Sequence, residues 1–324
     1  MAEAGEDATV RLWDLATGQC TAVLAGHFGA VYAVAFSPDG RQLASTGSDR
    51  TVRLWNAATG QCTAVLRSYA QAVAFSPDGR CLASAGDWDG GLLSPGRVQL
   101  WDAAAGQCTA TLEGPHSPVQ AVAFSPDGRQ LASAGDYNGG VQLWDAAAGQ
   151  CTATLEGPDG SVFDVAFSPD GSRLAAAVGA GYGPRRGGAI WLWDPATGRP
   201  AWNSEGHEGS VLKVAFSPDG RQLATAASDG TVLLWDPATG QRTGSLGGHA
   251  AEVRGIAFSP DSRQLATAGR EGIVRLWDVR TRATVVQLGL GAPAGALAWG
   301  QHGITVAVHA DLWQLAVIAR AAGA

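Results

Sequence analysis

Three glycine-rich stretches hold the side chains best suited to binding chemistry: GDWDGGLLSPGR at 86–97, GDYNGG at 135–140 and GAGYGPRRGG at 179–188. Asp87 and Asp89 flank Trp88, and Asp136 and Asn138 flank Tyr137, as the first ligands of a calcium loop would be spaced. The fifth position is Gly in both and no downstream Glu completes an oxygen cage, so no metal is expected. Arg185 and Arg186 form a cationic pair suited to a phosphate or a carboxylate, although adjacent arginines in a Gly-rich loop are more often simply solvated. Trp88, Tyr137 and Tyr182, with those arginines, are the residue types most enriched in binding hot spots. Two readings stand side by side: the rings fold back over neighbouring apolar edges, or they form a partner-binding patch. Asp87 and Asp89 belong to the same candidate patch.

Other chemistry is poorly supported. Four of the five cysteines (Cys20, Cys62, Cys108 and Cys151) recur in one phrase, QCTA, and no CxxC pair exists, which points to free thiols on strands. No HExxH, phosphate-binding loop, GxSxG or dinucleotide fingerprint is present. No catalytic residue and no cofactor are expected, and the chain reads as a non-enzyme.

The elements that position these stretches come from an internal repeat of roughly 40 to 50 residues. AFSPDG occurs at 35–40, 74–79, 123–128, 166–171 and 215–220, AFSPDS at 257–262, and a degenerate LAWGQHG at 297–303. Each strong copy is followed by a segment such as RQLAS and then by an LWD-type segment ending at Trp55, Trp101, Trp144, Trp193, Trp235 or Trp277. VYAVAF alternates as a strand does, and S-P-D-G supplies a proline for the second turn position and a glycine where φ turns positive. Each unit therefore holds four short antiparallel strands, a to d. One such unit cannot cover both of its faces, so neighbours must stack around an axis as a β-propeller.

At this point the residues resemble the WD-repeat (β-transducin-like) family. Gly-His stands at 26–27, 206–207 and 248–249, and Trp-Asp at 13–14, 101–102, 144–145, 193–194, 235–236 and 277–278. The resemblance implies a hydrogen-bonded network in each blade, from the Gly-His imidazole, a strand-b Ser or Thr, an Asp in the b-to-c turn and the strand-c Trp. The first full unit supplies His27, Ser45, Asp49 and Trp55. The fifth supplies His207, Thr225, Asp229 and Trp235, and the sixth His249, Thr267 and Trp277, with Glu271 in place of Asp. Ser, His and Asp together suggest nucleophilic catalysis, but a set repeated in several units makes a poor single active site, so a structural role is expected. The second unit has Arg67-Ser68-Tyr69 where Gly-His belongs, and the fourth lacks the His and carries Ala176 on strand b. The third retains His116, Ser133 and Trp144, with Asp136 or Asn138 as the carboxylate or amide partner.

Counting the strands leads to an expected seven-bladed, all-β propeller of four-stranded antiparallel blades, a single domain over 1–324, and the resemblance implies that its last blade is closed by N- and C-terminal strands to remove sheet edges. The chain starts with a c and a d strand and ends with a, b and a further c-type strand around Leu312 to Ile318, which leaves one c-type strand surplus. A start partway through a unit is expected of a piece cut from a longer protein. Phe-to-Trp spacing is 19 residues in units one, five and six, but 26, 20 and 26 in units two, three and four. The three glycine-rich stretches account for the excess, and in the family such b-to-c loops share one face.

Composition narrows the partners. A formal net charge of −7, with Lys213 the single lysine, argues against a nucleic-acid surface. No apolar run approaches the roughly 18 residues of a membrane span, and the acidic start lacks a secretory pattern, so a cytoplasmic monomer is expected. The Ala, Gly and Arg bias suggests a bacterial source. The expected function is a non-catalytic scaffold or recognition module for a protein or peptide, the sensor part of a larger bacterial signalling protein. The rival is a small-ligand- or ion-binding propeller using the central channel or the b-to-c loop face. A channel-facing cluster of unmatched His, Asp or Glu would favour that rival, and none is evident in the sequence.

Overall fold

A computed structural model describes residues 9–14, 19–87, 96–114, 118–135, 140–157, 160–179, 187–289, 294–300, 303–308 and 316–319. Its regular structure is all strand. Six sheets are four-stranded and antiparallel, each in simple chain order. Blade one runs Val31–Phe36, Gln42–Gly47, Thr51–Asn56, Cys62–Arg67, and the pattern recurs to blade six, Val253–Phe258, Gln264–Gly269, Ile273–Asp278, Thr284–Gly289.

Local chemistry dictates each blade. In the a-to-b turn Ser37 Oγ donates to Asp39 Oδ1 at 2.7 Å, Gly40 N donates to Ser37 O at 2.8 Å, and Gly40 takes φ 68°. The same turn in blade four holds the Asp170 carboxyl down at about 2, chiefly because Ser168 donates to it. Strand b is covered on both faces, and small residues fill it: Ala44, Ser45 and Thr46 are all fully buried. Each a–b pair slips register near its start, as between Val31 and Ala33, which adds local twist.

The apolar core lies between blades and not within them. Leu54 and Leu66 of blade one pack with Val73, Leu82 and Trp101 of blade two. Burial of such side chains contributes about 1.5–3 kcal/mol each, so the stacking of neighbours is the dominant stabilising term.

The expected count of seven four-stranded blades is corrected to six. The remaining strands form a two-stranded sheet, Thr9–Asp14 with Gln19–Ala25, and a three-stranded one, Ala294–Gly300, Gly303–Val308 and Ala316–Ala319. The reason is competition for one edge. Ala316–Ala319 takes the outer edge of Gly303–Val308, from Gly303↔Ala319 to Val306↔Ala316, so among the described residues Thr9–Asp14 is paired with Gln19–Ala25 and not with Gly303–Val308. The C-terminal c-type segment thus lies at Ala316–Ala319, while Leu312 falls outside the described residues. Ala294–Gly300 lies against the inner strands of blades six and one, and the succession of inner strands runs on through it.

Candidate functional site

The polar groups at the blade edges form one repeated arrangement. In blade one, Trp55 Nε1 donates to Ser45 Oγ at 2.8 Å, and His27 Nε2 lies 2.7 Å from the same hydroxyl. His27 Nδ1 sits 3.0 Å from both Asp49 oxygens, and Phe28 N–H donates to Asp49 as well. The network assigns the tautomer: Nδ1–H faces the carboxylate, and Nε2 accepts from Ser45. In blade five Thr225 takes the serine's place, bonded to Trp235 Nε1 at 2.9 Å and His207 Nε2 at 2.8 Å. There His207 Nδ1 lies 2.9 Å from Thr231 Oγ1, whose hydroxyl donates to Asp229. In blade six His249 bridges Thr267 and Glu271, and Arg275 adds a guanidinium at 3.1 Å from Glu271.

Burial pushes the His27, His207 and His249 imidazoles below their ordinary value, against the opposing pull of Asp49, Asp229 and Glu271. They are neutral, buried and bonded at both nitrogens. No face is left for a substrate, so these groups hold the d-to-a and b-to-c turns together.

The departures are each accommodated. In blade two Ser68 Oγ lies 3.0 Å from Ser84 Oγ, which also accepts Trp101 Nε1 at 2.9 Å; a serine thus reaches the hydroxyl that an imidazole reaches elsewhere. In blade three Trp144 donates to Ser133 at 2.8 Å. In blade four Ala176 offers no hydroxyl, and Trp193 Nε1 donates instead to Glu156 O at 3.0 Å.

Of the loop residues expected to bind, Trp88, Asp89, Tyr137, Tyr182, Arg185 and Arg186 lie outside the described residues, as do His116, Asp136 and Asn138. Asp87 ends the strand Cys81–Asp87, with its backbone opposite Gly96. Among the described residues no group of three or more His, Cys, Asp or Glu could hold a metal ion.

Two groupings escaped the sequence reading. Asp164, on the inner strand of blade four, lies 3.6 Å from Lys213 Nζ on the inner strand of blade five and accepts Val214 N–H at 3.1 Å. Burial pushes its carboxyl up, with Lys213 opposing. Ala33, Ala72 and Ala121 occupy the register position of Asp164 in the first three blades, and that comparison is the signal that would have found it. The second grouping is a recess lined by Arg50, Arg67 and Arg97 between blades one and two.

Stacked four-stranded antiparallel sheets in simple chain order, tied by His–Ser/Thr–Trp bonds, define a β-propeller. Segments 18–56, 60–93, 106–145, 149–194, 198–236 and 240–278 match the family model described as WD domain, G-beta repeat, and the chain belongs to the WD-repeat family. It is 56% identical over 41 residues to the human F-box-like/WD repeat-containing protein TBL1Y, and 54% identical over 41 residues to mouse TBL1X of the same description. Each match covers 13% of this chain and 8% of the relative. Mouse Coronin-7 is 47% identical over 45 residues, 14% of this chain and 5% of its own. The chain therefore spans a small part of these relatives' lengths. They are eukaryotic, and the bacterial source expected from composition finds no support in them; residue bias follows codon usage and carries no fold information. Propellers of this family are generally non-catalytic and bind protein partners. No helix among the described residues is long and apolar enough to cross a membrane.

Proposed function

We propose that this chain is a non-catalytic recognition module that holds a protein or peptide partner on the loops joining strands b and c of blades two, three and four. One observation carries the reading: every described His–Ser/Thr–Asp-type set is spent on internal hydrogen bonds and recurs from blade to blade, which leaves the unit-specific loops as the distinguishing surface. Loops on a rigid frame lose little entropy on binding, and aromatic side chains supply contact area. Trp88, Tyr137 and Tyr182, with Arg185, Arg186, Asp87 and Asp89, are the proposed contacts. The described free thiols, Cys62, Cys81, Cys108 and Cys151, support a reducing compartment such as the cytoplasm, and a monomer is proposed. The relatives whose names join WD repeats to an F-box-like part support a role within a larger protein.

The test replaces Trp88, Tyr137 and Tyr182 together with Ala and compares captured partners with those of the wild type. Loss of partners at an unchanged melting temperature supports the assignment; full retention removes it. A melting shift of several degrees on adding divalent metals or nucleotides would instead favour a ligand-binding propeller.

A further inference from the structure

Three arginines that depart from the repeat converge on one cavity. Arg50, Arg67 and Arg97 line a recess of about 470 Å³ between blades one and two, beside Asp49, Ser68 and Tyr69. Each stands where other units hold something different. Gly230 and Gly272 follow Asp229 and Glu271 as Arg50 follows Asp49. Arg67 occupies the register position of Glu113 in blade two and Glu205 in blade four, so the sign of the charge is reversed. Arg97 occupies that of Thr51 in blade one and Ile273 in blade six. In a chain of near-identical repeats, three independent departures that yield the same side chain around one recess point to a ligand.

The backbone adds a second observation. Arg50 has φ 64°, the left-handed conformation that Gly230 and Gly272 adopt at 80° and 77°. A side chain there is disfavoured by its Cβ, as it is at Ser262 and Arg282, and at Arg50 that strain falls on a residue lining the recess. The Arg50 guanidinium sits 4.5 Å from the centroid of the Tyr69 ring, which fixes it across the blade boundary. Tyr69 belongs to the Arg67-Ser68-Tyr69 run that replaces Gly-His, and the bond from Ser68 to Ser84 keeps blade two tied despite the replacement.

Charge gives the ligand class. The protein is net negative at −7, yet this recess gathers three guanidiniums. Of the nearby acids, Asp49 is engaged by His27, Thr51 and Phe28 N–H, and Glu113 pairs with Arg97 at 3.6 Å with its own side chain 75% exposed. Guanidinium forks match the oxygen pairs of carboxylate and phosphate. We propose that this recess is an oxyanion site that takes carboxylate or phosphate groups of an acidic peptide. It uses none of the aromatic loop residues and stands or falls separately from them.

The experiment titrates the wild-type chain with a hexaglutamate peptide, a phosphoserine peptide and a hexaglutamine control. Variants Arg50→Gly, Arg67→Glu and Arg97→Thr each install a residue that another unit carries at that place. At least one acidic peptide is expected to bind, more weakly as salt rises, while the control does not. Each variant is expected to weaken binding by about tenfold, and the triple variant to abolish it. The tighter of the two acidic peptides names the oxyanion. Any variant that melts unlike the wild type is replaced by Gln at the same position. Failure of both acidic peptides to bind, equal binding of the glutamine control, or full affinity in the triple variant overturns the proposal.

Discussion

Blades four and five bury the same tryptophan by different means. Trp193 and Trp235 are 0% and 2% exposed, so the apolar contribution is equal. In blade five the indole N–H joins a chain through Thr225 to His207, Thr231 and Asp229. In blade four it ends at the backbone carbonyl of Glu156, in the d-to-a turn that leads into the blade, with Trp191 stacked on it at 5.7 Å. Packing between blades therefore suffices to seat the ring, and the polar network is an added tie between turns. Blade five has more to lose from a single atom, because one hydroxyl serves two buried partners.

The largest expected effect exploits that difference. Thr225→Val keeps the shape of the side chain but strands the Trp235 N–H and His207 Nε2 without partners. A buried unpaired group costs about 1–3 kcal/mol, so a loss of about 3 kcal/mol in urea unfolding is expected. Trp193→Phe removes a single bond in blade four, and its polar part costs only about 1 kcal/mol. Equal losses from the polar terms would show that the hydroxyl is not the hub.

Acid should act next, and its first step runs through the blades that keep their histidine. His27, His207 and His249 are held below 6.5, so the folded state binds fewer protons than the unfolded chain. Their contribution is fully present above the unfolded value. It is lost as pH falls from 6.5 towards the lower folded value, at about 1.4 kcal/mol for each unit of depression. Asp49 and Asp229 are held below 3.8, so their contribution disappears in a later, more acidic step. A melting temperature that stays flat from neutral pH down to pH 5 would contradict neutral, buried imidazoles. The first step should shrink in a His249→Gln variant.

Legibility in the sequence followed the range of the forces. The S-P-D-G turns, the alternating inner strands and the buried tryptophans were readable because each depends on a few adjacent residues repeated six times. The blade count was not, because it turns on whether Ala316–Ala319 or Thr9–Asp14 takes one edge of Gly303–Val308, a contest between opposite ends of the chain. Arg50, Arg67 and Arg97 were hidden for a related reason: they stand on different strands and turns, and only the stacking of blade two on blade one brings them together. Asp164 and Lys213 likewise meet across a blade boundary.

The smallest effect lies in blade two, which is intermediate between the two blades compared. Ser84 accepts the Trp101 N–H as Thr225 accepts that of Trp235, but its second partner is Ser68 and not an imidazole. Ser68→Ala leaves the indole satisfied and removes one neutral hydroxyl pair, for an expected loss of about 0.5–1.5 kcal/mol in urea unfolding. Because no histidine takes part, the loss should be the same at pH 7 and pH 5. A loss as large as that of Thr225→Val would mean that the tie between turns, and not the number of buried partners at the hydroxyl, sets the cost. A negligible loss would place blade two with blade four, as a blade in which packing and a single indole bond suffice.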